Sequence, residues 1–422
     1  MECAIWLLLL VLPQEGEARR LAESVSDRDP AASFAAISRL VDLSDTRKDE
    51  VEREAERLPA FYRDVLLSEL KAKRDLGARF GCAPRISLKG SAKSVWHYLE
   101  EVGRQPGMKV HIEDWNRRMP TQPFDVDFRE VLAIEAYVRL CGQSRLGTFN
   151  WSWLDDGIRV TSAGDGVNDP PGPRPWFFYR NIAIGQTMVS WRKVIDFSGP
   201  PRWVARLQFK VEQSLETKAV TWEDVRVIEA LGDGGQVLSS APAEETAIPG
   251  FESSFGAPSQ PFEVALRLPD QAVTGLSRLR FRVTARVPTQ FRRYEITEFS
   301  SGRTTTKGDG YFDVYVRPRE GVTLVSDNLH IRIRPKSERH SRLAGVPFKV
   351  LYHFDRPGAG AQLFHFSGKG EEMAVGTPMC TLREGLWMDG GKPRRPLKIE
   401  VVIPVEIQDR PVYAEFRDIP LR

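Results

Sequence analysis

Two histidines in the last quarter of the chain have the residue type and spacing to bind a metal ion. His353 and His365 flank a Pro-Gly-Ala-Gly run at 357–360, which predicts a hairpin with one histidine on each arm. Glu371 follows shortly afterwards. Imidazoles that lie directly opposite each other across a hairpin can hold a metal ion, with a carboxylate as the third ligand.

The neighbours of these histidines favour a structural interpretation instead. Each imidazole stands between two aromatic residues, so alternation along a strand turns the aromatics toward the core and the histidines toward solvent. A solvent-facing pair without a fixed third ligand rarely closes a metal site. We therefore predict no metal and no cofactor, and His353, His365 and Glu371 remain the candidates for a metal site.

Other polar residues have equally plain interpretations. Asp125 and Asp127 share one face of an alternating strand and are expected to be its outward half. His97 is expected on the surface of a helix. The sequence has six histidines and lacks the serine-hydrolase, zinc-protease, phosphate-loop and dinucleotide-binding motifs. We predict that it has no catalytic residues and is not an enzyme.

A unit of strand, helix and strand occurs twice between residues 84 and 161. The first copy starts at Ile86 and the second at Phe124, an offset of 38 residues. Each copy has a period-2 apolar run followed by an apolar stripe at helical spacing. The stripes are Val95, Leu99 and Val102 in the first copy, and Ala133, Tyr137 and Leu140 in the second.

A final hairpin completes this region, because Asp155-Asp156-Gly157 between two apolar runs favours a tight two-residue turn. The predicted order is βαββαββ, with both helices on one face of a single small sheet. The pattern resembles the secretin and TonB receptor N-terminal (STN) domain, whose helix reads ALxxLxxxxG. The matching segments are 95–103 and 133–142. The resemblance implies a docking or signalling domain and names no catalytic residue.

The amino-terminal segment predicts export. Residues 4–12 are apolar and are followed by a small-x-small ending at Gly16 and Ala18, as in a signal peptide of residues 1–18. The apolar run is too short to span a bilayer, and no other stretch approaches the ~20 apolar residues needed. Residues 19–80 have helical periodicity and predict about three helices. Cys82 and Cys141 could form a disulfide or remain free thiols.

The remainder of the sequence predicts antiparallel β-structure. A run rich in Pro and Gly at 162–175 predicts a linker, and alternating strands follow it. We expect one β-sandwich at 176–300, with 311–422 as a second sandwich or a continuation of the first. Alternating arginines in these strands, as in 278–286, predict a face in contact with solvent.

Composition excludes little but argues against nucleic acid as a partner. The 60 basic and 57 acidic residues are interleaved and give a formal charge of +3. The predicted fold class is α+β. The expected function is that of a non-catalytic, exported protein of the periplasm or cell surface, which binds envelope or cell-surface proteins. The alternative is a carbohydrate-binding or carbohydrate-processing exoprotein, since the chain has 10 tryptophans and sandwiches often carry sugars.

Overall fold

The computed structural model describes residues 16–77, 84–93, 95–105, 109–113, 124–143, 149–154, 157–162, 175–194, 202–213, 221–241, 262–269, 273–298, 304–318, 329–337, 348–353, 364–366, 379–382, 388–389, 392–393 and 398–421. These residues form an α+β protein with helices first and mostly antiparallel strands after them, as the sequence predicts.

Four helices form the amino-terminal part of the described chain, one more than predicted. They are α1 (Glu17–Ser24), α2 (Pro30–Leu43), α3 (Lys48–Ala55) and α4 (Ala60–Leu76). Asp29 caps α2 by accepting a hydrogen bond of 3.0 Å from the Ala32 N–H, and Pro30 begins the helix, where a missing N–H costs nothing. The predicted apolar stripes are buried, for example Ile37, Leu40 and Leu66.

The repeat folds in the predicted order. Its elements are β1 (Arg85–Lys93), α5 (Val95–Arg104), β2 (Lys109–Glu113), β3 (Phe124–Leu132), α6 (Ala133–Gln143), β4 (Phe149–Leu154) and β5 (Gly157–Ser162). We call residues 84–162 the module. Its described core consists mainly of residues from β1, β3 and the two helices.

The prediction of a single sheet in the module is wrong. The opening strands of the two copies, β1 and β3, pair with each other in an antiparallel two-stranded sheet. The closing strands form a separate sheet in the order β2-β5-β4, in which β2 and β5 run parallel. The two copies therefore exchange partners, which their local periodicity could not indicate, because pairing depends on which strands meet in three dimensions.

Sixteen further strands follow in the described part of the chain. They are β6 (Trp176–Tyr179), β7 (Ile182–Val194), β8 (Arg202–Gln213), β9 (Thr221–Gly232), β10 (Ser239–Ser240), β11 (Phe262–Leu268), β12 (Gly275–Ile296), β13 (Thr305–Gly308), β14 (Phe312–Pro318), β15 (Leu329–Pro335), β16 (Phe348–His353), β17 (Phe364–Phe366), β18 (Met379–Leu382), β19 (Met388–Asp389), β20 (Lys392–Pro393) and β21 (Lys398–Pro420).

Three larger sheets build two apolar cores. Their strand orders are β10-β11-β8-β7-β6, β17-β16-β21-β12-β9 and β13-β14-β15-β18. The long strands β12 and β21 pair from Gly275 with Pro420 to Ile296 with Ile399. One half of this ladder contributes Phe281 and Phe416 to the first core, and the other half contributes Ile296 to the second.

The boundary expected between 176–300 and 311–422 therefore does not separate the two cores, because β21 returns to the first after passing through the second. The polar residues 300–310, at the boundary between these two expected regions, contain strand β13, which pairs with β14. A polar composition did not prevent strand formation there, because an edge strand needs only one partner and can keep its side chains in solvent.

The helices and the first sandwich share one core. The ring of Phe34 in α2 lies 4.7 Å from that of Phe177 in β6, which lies 6.1 Å from that of Phe416 in β21. We call this joint body the platform: α1–α4 together with the first core. The module is inserted between α4 and β6 of the platform. Most of the predicted linker, residues 163–174, lies outside the described residues.

The predicted signal peptide lies largely outside the described residues, which begin at Gly16. Ala18, the expected cleavage point, is fully buried in the first turn of α1. Cleavage there would remove Glu17 and Ala18 from a packed helix. None of the helices in the described ranges combines the length and apolar character required to cross a bilayer.

Candidate functional site

The structure does not bring the two candidate metal-binding histidines together. Strands β16 and β17 do form the predicted hairpin pair, but Lys349 is the residue opposite His365. His353 is opposite Lys398 of β21. The two histidines are thus offset along the ladder by four residues, or about 13 Å at the usual rise of a strand. Glu371 lies outside the described residues.

The other polar candidates lie where the sequence predicts. Asp125 and Asp127 are exposed, while Val126 and Phe128 beside them are buried. The Asp127 carboxylate accepts a hydrogen bond of 3.0 Å from Arg129, which lowers the pKa of the carboxyl group. Asp127 and Arg129 therefore form an ion pair on the solvent-facing surface of the strand.

Surface placement of His97 is also confirmed, and its Nε2 lies 2.8 Å from Lys93 Nζ. Cys82 and the side chain of Cys141 are outside the described part of the structure. Within the described ranges, no three histidine, cysteine, aspartate or glutamate side chains are grouped as ligands for a metal ion.

The matched stripes of the module meet in its core. Leu99, Val102, Tyr137 and Leu140 are all almost completely buried. The Tyr137 hydroxyl donates a hydrogen bond of 3.4 Å to the backbone carbonyl of Leu99, so equivalent positions of the two copies touch directly. The two helices of the repeat therefore bury equivalent faces in one shared core.

One short hairpin joins the module to the platform. On one face of β6, Trp176 and Phe178 stack with their rings 6.1 Å apart, and both pack against the core of the module together with Ala183. On the opposite face, Phe177 and Tyr179 enter the core of the platform. Alternation along four residues therefore divides β6 between two cores.

The geometry of this joint is tight. A Cβ placed on Gly185 would lie 2.7 Å from the indole ring of Trp176, so the ring lies directly over the glycine.

At the turn of the hairpin, Arg180 has a φ of 50° and its buried guanidinium donates a hydrogen bond of 2.8 Å to Asp42 of α2. A positive φ is unfavourable for arginine. The ion pair and burial hold the residue in this conformation.

Buried ion pairs and hydrogen bonds connect the helices of the platform to its strands. Arg280 of β12 donates to Glu415 at 2.9 Å and to Asp27 at 2.6 Å, and its guanidinium lies 4.4 Å from the ring centre of Phe61. The hydrogen bond from Arg280 lowers the pKa of Asp27. The Tyr62 hydroxyl donates to Glu415 at 3.0 Å. Burial, followed by the charge of Glu415, raises the pKa of Tyr62 to about 12.

The expectation of a solvent-facing arginine face is wrong at its centre. Arg278, Arg282 and Arg286 are partly exposed, but Arg280 is buried beneath the helices. Arg278, Arg282 and Arg286 pair with carboxylates of the neighbouring strand β9, and Arg280 pairs with Asp27, which lies between α1 and α2. Alternation correctly indicated which residues share a face, but it could not show that helices cover part of that face.

Four tryptophans have side chains that the structure describes, and all four contribute to the apolar cores. Trp222 is buried, and Trp176, Trp191 and Trp203 are partly buried against the two cores. The Trp191 Nε1 also donates a hydrogen bond of 2.6 Å to the backbone carbonyl of Leu421. These four residues are structural and do not favour sugar binding.

A charged groove of about 810 Å³ lies beside the start of the described chain, between α1 and α3. Its acidic and basic side chains face one another. Glu54 accepts from Arg57 at 2.9 Å, and Glu50 accepts from Arg47 at 3.5 Å and from the Gly16 N–H at 3.3 Å. The groove is therefore close to electrically balanced and selects no ligand by charge.

The side of β1 that faces away from β3, beside which the described residues place no strand, is a surface that sequence reasoning missed. The side-chain amide of Gln105, just after α5, donates to the Ser87 carbonyl at 3.0 Å and accepts from the Ser87 N–H at 3.2 Å. This is the pair of hydrogen bonds that a neighbouring strand would make. The backbone of Ser87 therefore points away from β3, and an amide side chain takes the place of a strand.

No protein-family model matches this chain, and comparisons with curated proteins and with solved structures found no match.

Proposed function

We propose that the protein is a non-catalytic, exported protein of the periplasm or cell surface that acts by binding envelope or cell-surface proteins. The observation that supports this most directly is the placement of the module. It has a core of its own, is inserted into the platform between α4 and β6, and presents the exposed face of the β1–β3 sheet to solvent. Binding surfaces are commonly carried in this way by a rigid scaffold.

The platform suits the role of a rigid support. Its helices and sheets share one core, and buried ion pairs such as Arg410 with Glu69 connect them. The module rests on this body through Trp176 and Phe178. A binding surface mounted in this way has a defined orientation, which lowers the entropy lost when a partner binds.

The resemblance of the module to the STN domain supports the same role. The order βαββαββ and the burial of both apolar stripes agree with that resemblance. Membership of that family remains our proposal, as does the docking role that it implies. The alternative, a carbohydrate-binding or carbohydrate-processing exoprotein, has no support from Trp176, Trp191, Trp203 and Trp222, which pack against the cores. The other tryptophan side chains lie outside the described part of the structure.

Export can be tested directly. The apolar residues 4–12 motivate the proposal, so protein isolated from its native host should begin near Arg19. Mass spectrometry of the intact chain measures this. Since Ala18 is buried in α1, processing at this point should also shorten the ordered helix. A soluble cytoplasmic protein that retains Met1 would contradict export.

Binding by the module can be tested with a surface swap. The double variant Asp127→Arg with Arg129→Asp keeps an ion pair but reverses its polarity on the exposed sheet. The matched control is Lys71→Asp with Asp75→Lys, which does the same on helix α4 of the platform. Tagged full-length proteins are used to capture partners from an envelope fraction, with a glycan array in parallel.

Envelope proteins that are lost with the module swap and retained with the helix swap would be partners of the module. An identical set of captured proteins for the wild type and both variants would contradict the proposal. Binding to glycans without any module-dependent protein would favour the carbohydrate alternative.

A further inference from the structure

The free edge of β1 carries an inference that rests on the proposed function and makes it more specific. Among the described residues, β1 pairs only with β3, so its other edge has no strand beside it. The two hydrogen bonds between Gln105 and Ser87 show which way this edge faces. Because backbone groups alternate along a strand, the N–H and carbonyl of Lys89 point the same way as those of Ser87.

The register of the sheet is continuous around Lys89. Leu88, Lys89 and Gly90 pair in unbroken sequence with Phe128, Asp127 and Val126. Because the backbone N–H and carbonyl of Lys89 point away from β3, the backbone groups of Leu88 and Gly90 are the ones that form hydrogen bonds to β3. An incoming extended segment could therefore pair with Lys89 and then displace the side chain of Gln105 from Ser87.

Charge indicates what kind of segment fits. Arg85, Lys89 and Lys93 are the charged residues of β1, which contains no acidic residue. Arg85 donates to the backbone carbonyl of Glu130, and Lys93 contacts His97. Lys89 is exposed next to the edge. A third strand would lie about 5 Å from β1 and about 10 Å from Asp127 on β3, so Lys89 is the nearest charge at its own position on the edge. At the position of Ser87, the Glu130 carboxylate accepts a hydrogen bond of 2.9 Å from the Ser87 hydroxyl, so an acidic residue fits best beside Lys89.

The same charges disfavour pairing with a second copy of this chain. In an antiparallel pair of β1 strands, a register that places Lys89 opposite its own copy also places Lys93 opposite Arg85 of that copy. Like charges opposite each other across a sheet are destabilising. Lysines on an edge strand also deter indiscriminate strand addition. An acidic residue in the incoming segment would neutralise the lysine charge that otherwise opposes strand addition.

We propose that the free edge of β1 binds an extended protein segment in which acidic and apolar residues alternate, by adding it as a third strand to the β1–β3 sheet. An acidic side chain would lie beside Lys89 on the exposed face. The apolar side chains would lie beside Leu88, which packs against the core of the module. The backbone supplies the affinity, and the alternation of side chains supplies the specificity.

The test uses the full-length protein and two fluorescent heptapeptides, one alternating valine with glutamate and one alternating valine with lysine. Fluorescence anisotropy measures binding at low salt. We expect the acidic peptide to bind and the basic peptide to bind at least about tenfold more weakly. Lys89→Glu should reverse this preference. Lys307→Glu, on the edge strand β13, is the matched control and should leave it unchanged.

A second pair of variants separates backbone pairing from charge. Lys89→Gln and Lys89→Pro both remove the charge, but only the proline removes the outward N–H. The proline variant should therefore bind the acidic peptide more weakly than the glutamine variant. Circular dichroism and thermal unfolding confirm that each variant is folded, and a misfolded proline variant leaves the comparison of Lys89→Glu with Lys307→Glu as the decisive one.

Three results would overturn the inference. They are no binding of the acidic peptide, equal binding of both peptides, or equal effects of Lys89→Glu and Lys307→Glu. If any one of these results is found while envelope proteins are still captured through the module, strand addition at β1 is wrong and the proposed function stands. If module-dependent capture also fails, both are wrong.

Discussion

Arg410 of β21 and Glu69 of α4 form an ion pair, with Nη2 2.9 Å from Oε2, although 341 residues separate them in the chain. Both side chains are almost completely buried, with 1% and 2% of their surface exposed. Burying two charges is costly, and the mutual attraction offsets that cost only when both partners are present. The pair therefore links the first and last parts of the chain in one folding unit.

Removing one partner of this pair should be much worse than removing both. Arg410→Met leaves the Glu69 carboxylate buried without its main counter-charge, and we expect a loss of about 3–5 kcal/mol in the free energy of unfolding. The double variant Arg410→Met with Glu69→Leu should recover much of that loss. Urea unfolding followed by circular dichroism measures both. Equal destabilisation in the single and double variants would show that the charge pair is not the cause.

The joint between module and platform can be tested at Gly185. Gly185→Ala places a methyl group 2.7 Å from the Trp176 ring, so the ring or the strand beneath it must shift. Overpacking of this kind costs about 1–3 kcal/mol. Gly310→Ala is the control, because nothing lies within 4 Å of the added atom. Thermal unfolding and tryptophan fluorescence should change for Gly185→Ala alone, and similar changes in both variants would refute a tight joint.

The buried stripes of the two copies predict similar costs when a leucine is truncated in either of them. Leu99→Ala and Leu140→Ala each leave a cavity in the core of the module and should cost about 2–5 kcal/mol. Glu100 is exposed, so Glu100→Ala should stay within about 0.5 kcal/mol of the wild type. Urea unfolding of the full chain provides the measurement. If Leu99→Ala and Glu100→Ala were equally harmful, the helical periodicity would have been misread.

Arg139 is a less neutral position than its exposure suggests. It pairs with Glu135 at 2.5 Å, and burial raises the pKa of the Glu135 carboxyl group. Arg139→Ala removes a counter-charge from a partly buried acid, so it should cost more than Glu100→Ala. Urea unfolding at pH 7 of the two variants tests this, and Arg139→Lys should behave more like the wild type. Equal stability of Arg139→Ala and Glu100→Ala would refute the role of the pair.

The contribution of Tyr62 to the free energy of unfolding should depend on pH. Its hydroxyl donates to buried Glu415, so Tyr62→Phe should destabilise the protein at pH 7 by about 1–3 kcal/mol. The pKa of Tyr62 is raised to about 12, compared with about 10 for an unfolded tyrosine. The native state therefore keeps this proton longer than the unfolded state. The stability associated with it is complete below pH ~10 and is lost as pH rises toward ~12.

The wild type should consequently lose more stability than Tyr62→Phe between pH ~10 and ~12, and the gap between them should narrow. Urea unfolding across this range at constant ionic strength measures the gap. A difference that stays constant with pH would mean that the Tyr62 phenol titrates alike in the folded and unfolded states.

The sequence alone determined the local features of the fold. Helical stripes such as Leu99 with Val102, and alternating runs such as Val126 with Phe128, identified the elements of the module and their order, because both periods are set by the geometry of a single helix or strand. The same alternation correctly placed Asp125 and Asp127 on an exposed face. Each of these conclusions depends on residues only a few positions apart.

The tertiary structure decided everything that depends on which elements meet. It paired β1 with β3, ran β21 along β12, and buried Arg280 beneath helices that precede it by more than 200 residues. Alternating arginines have the same pattern whether water or a helix covers their face, and a strand has the same pattern whether its edge is paired or free. Burial and pairing are properties of two surfaces together, so the β1 edge and its Gln105 cap could be recognised only after the chain had been folded.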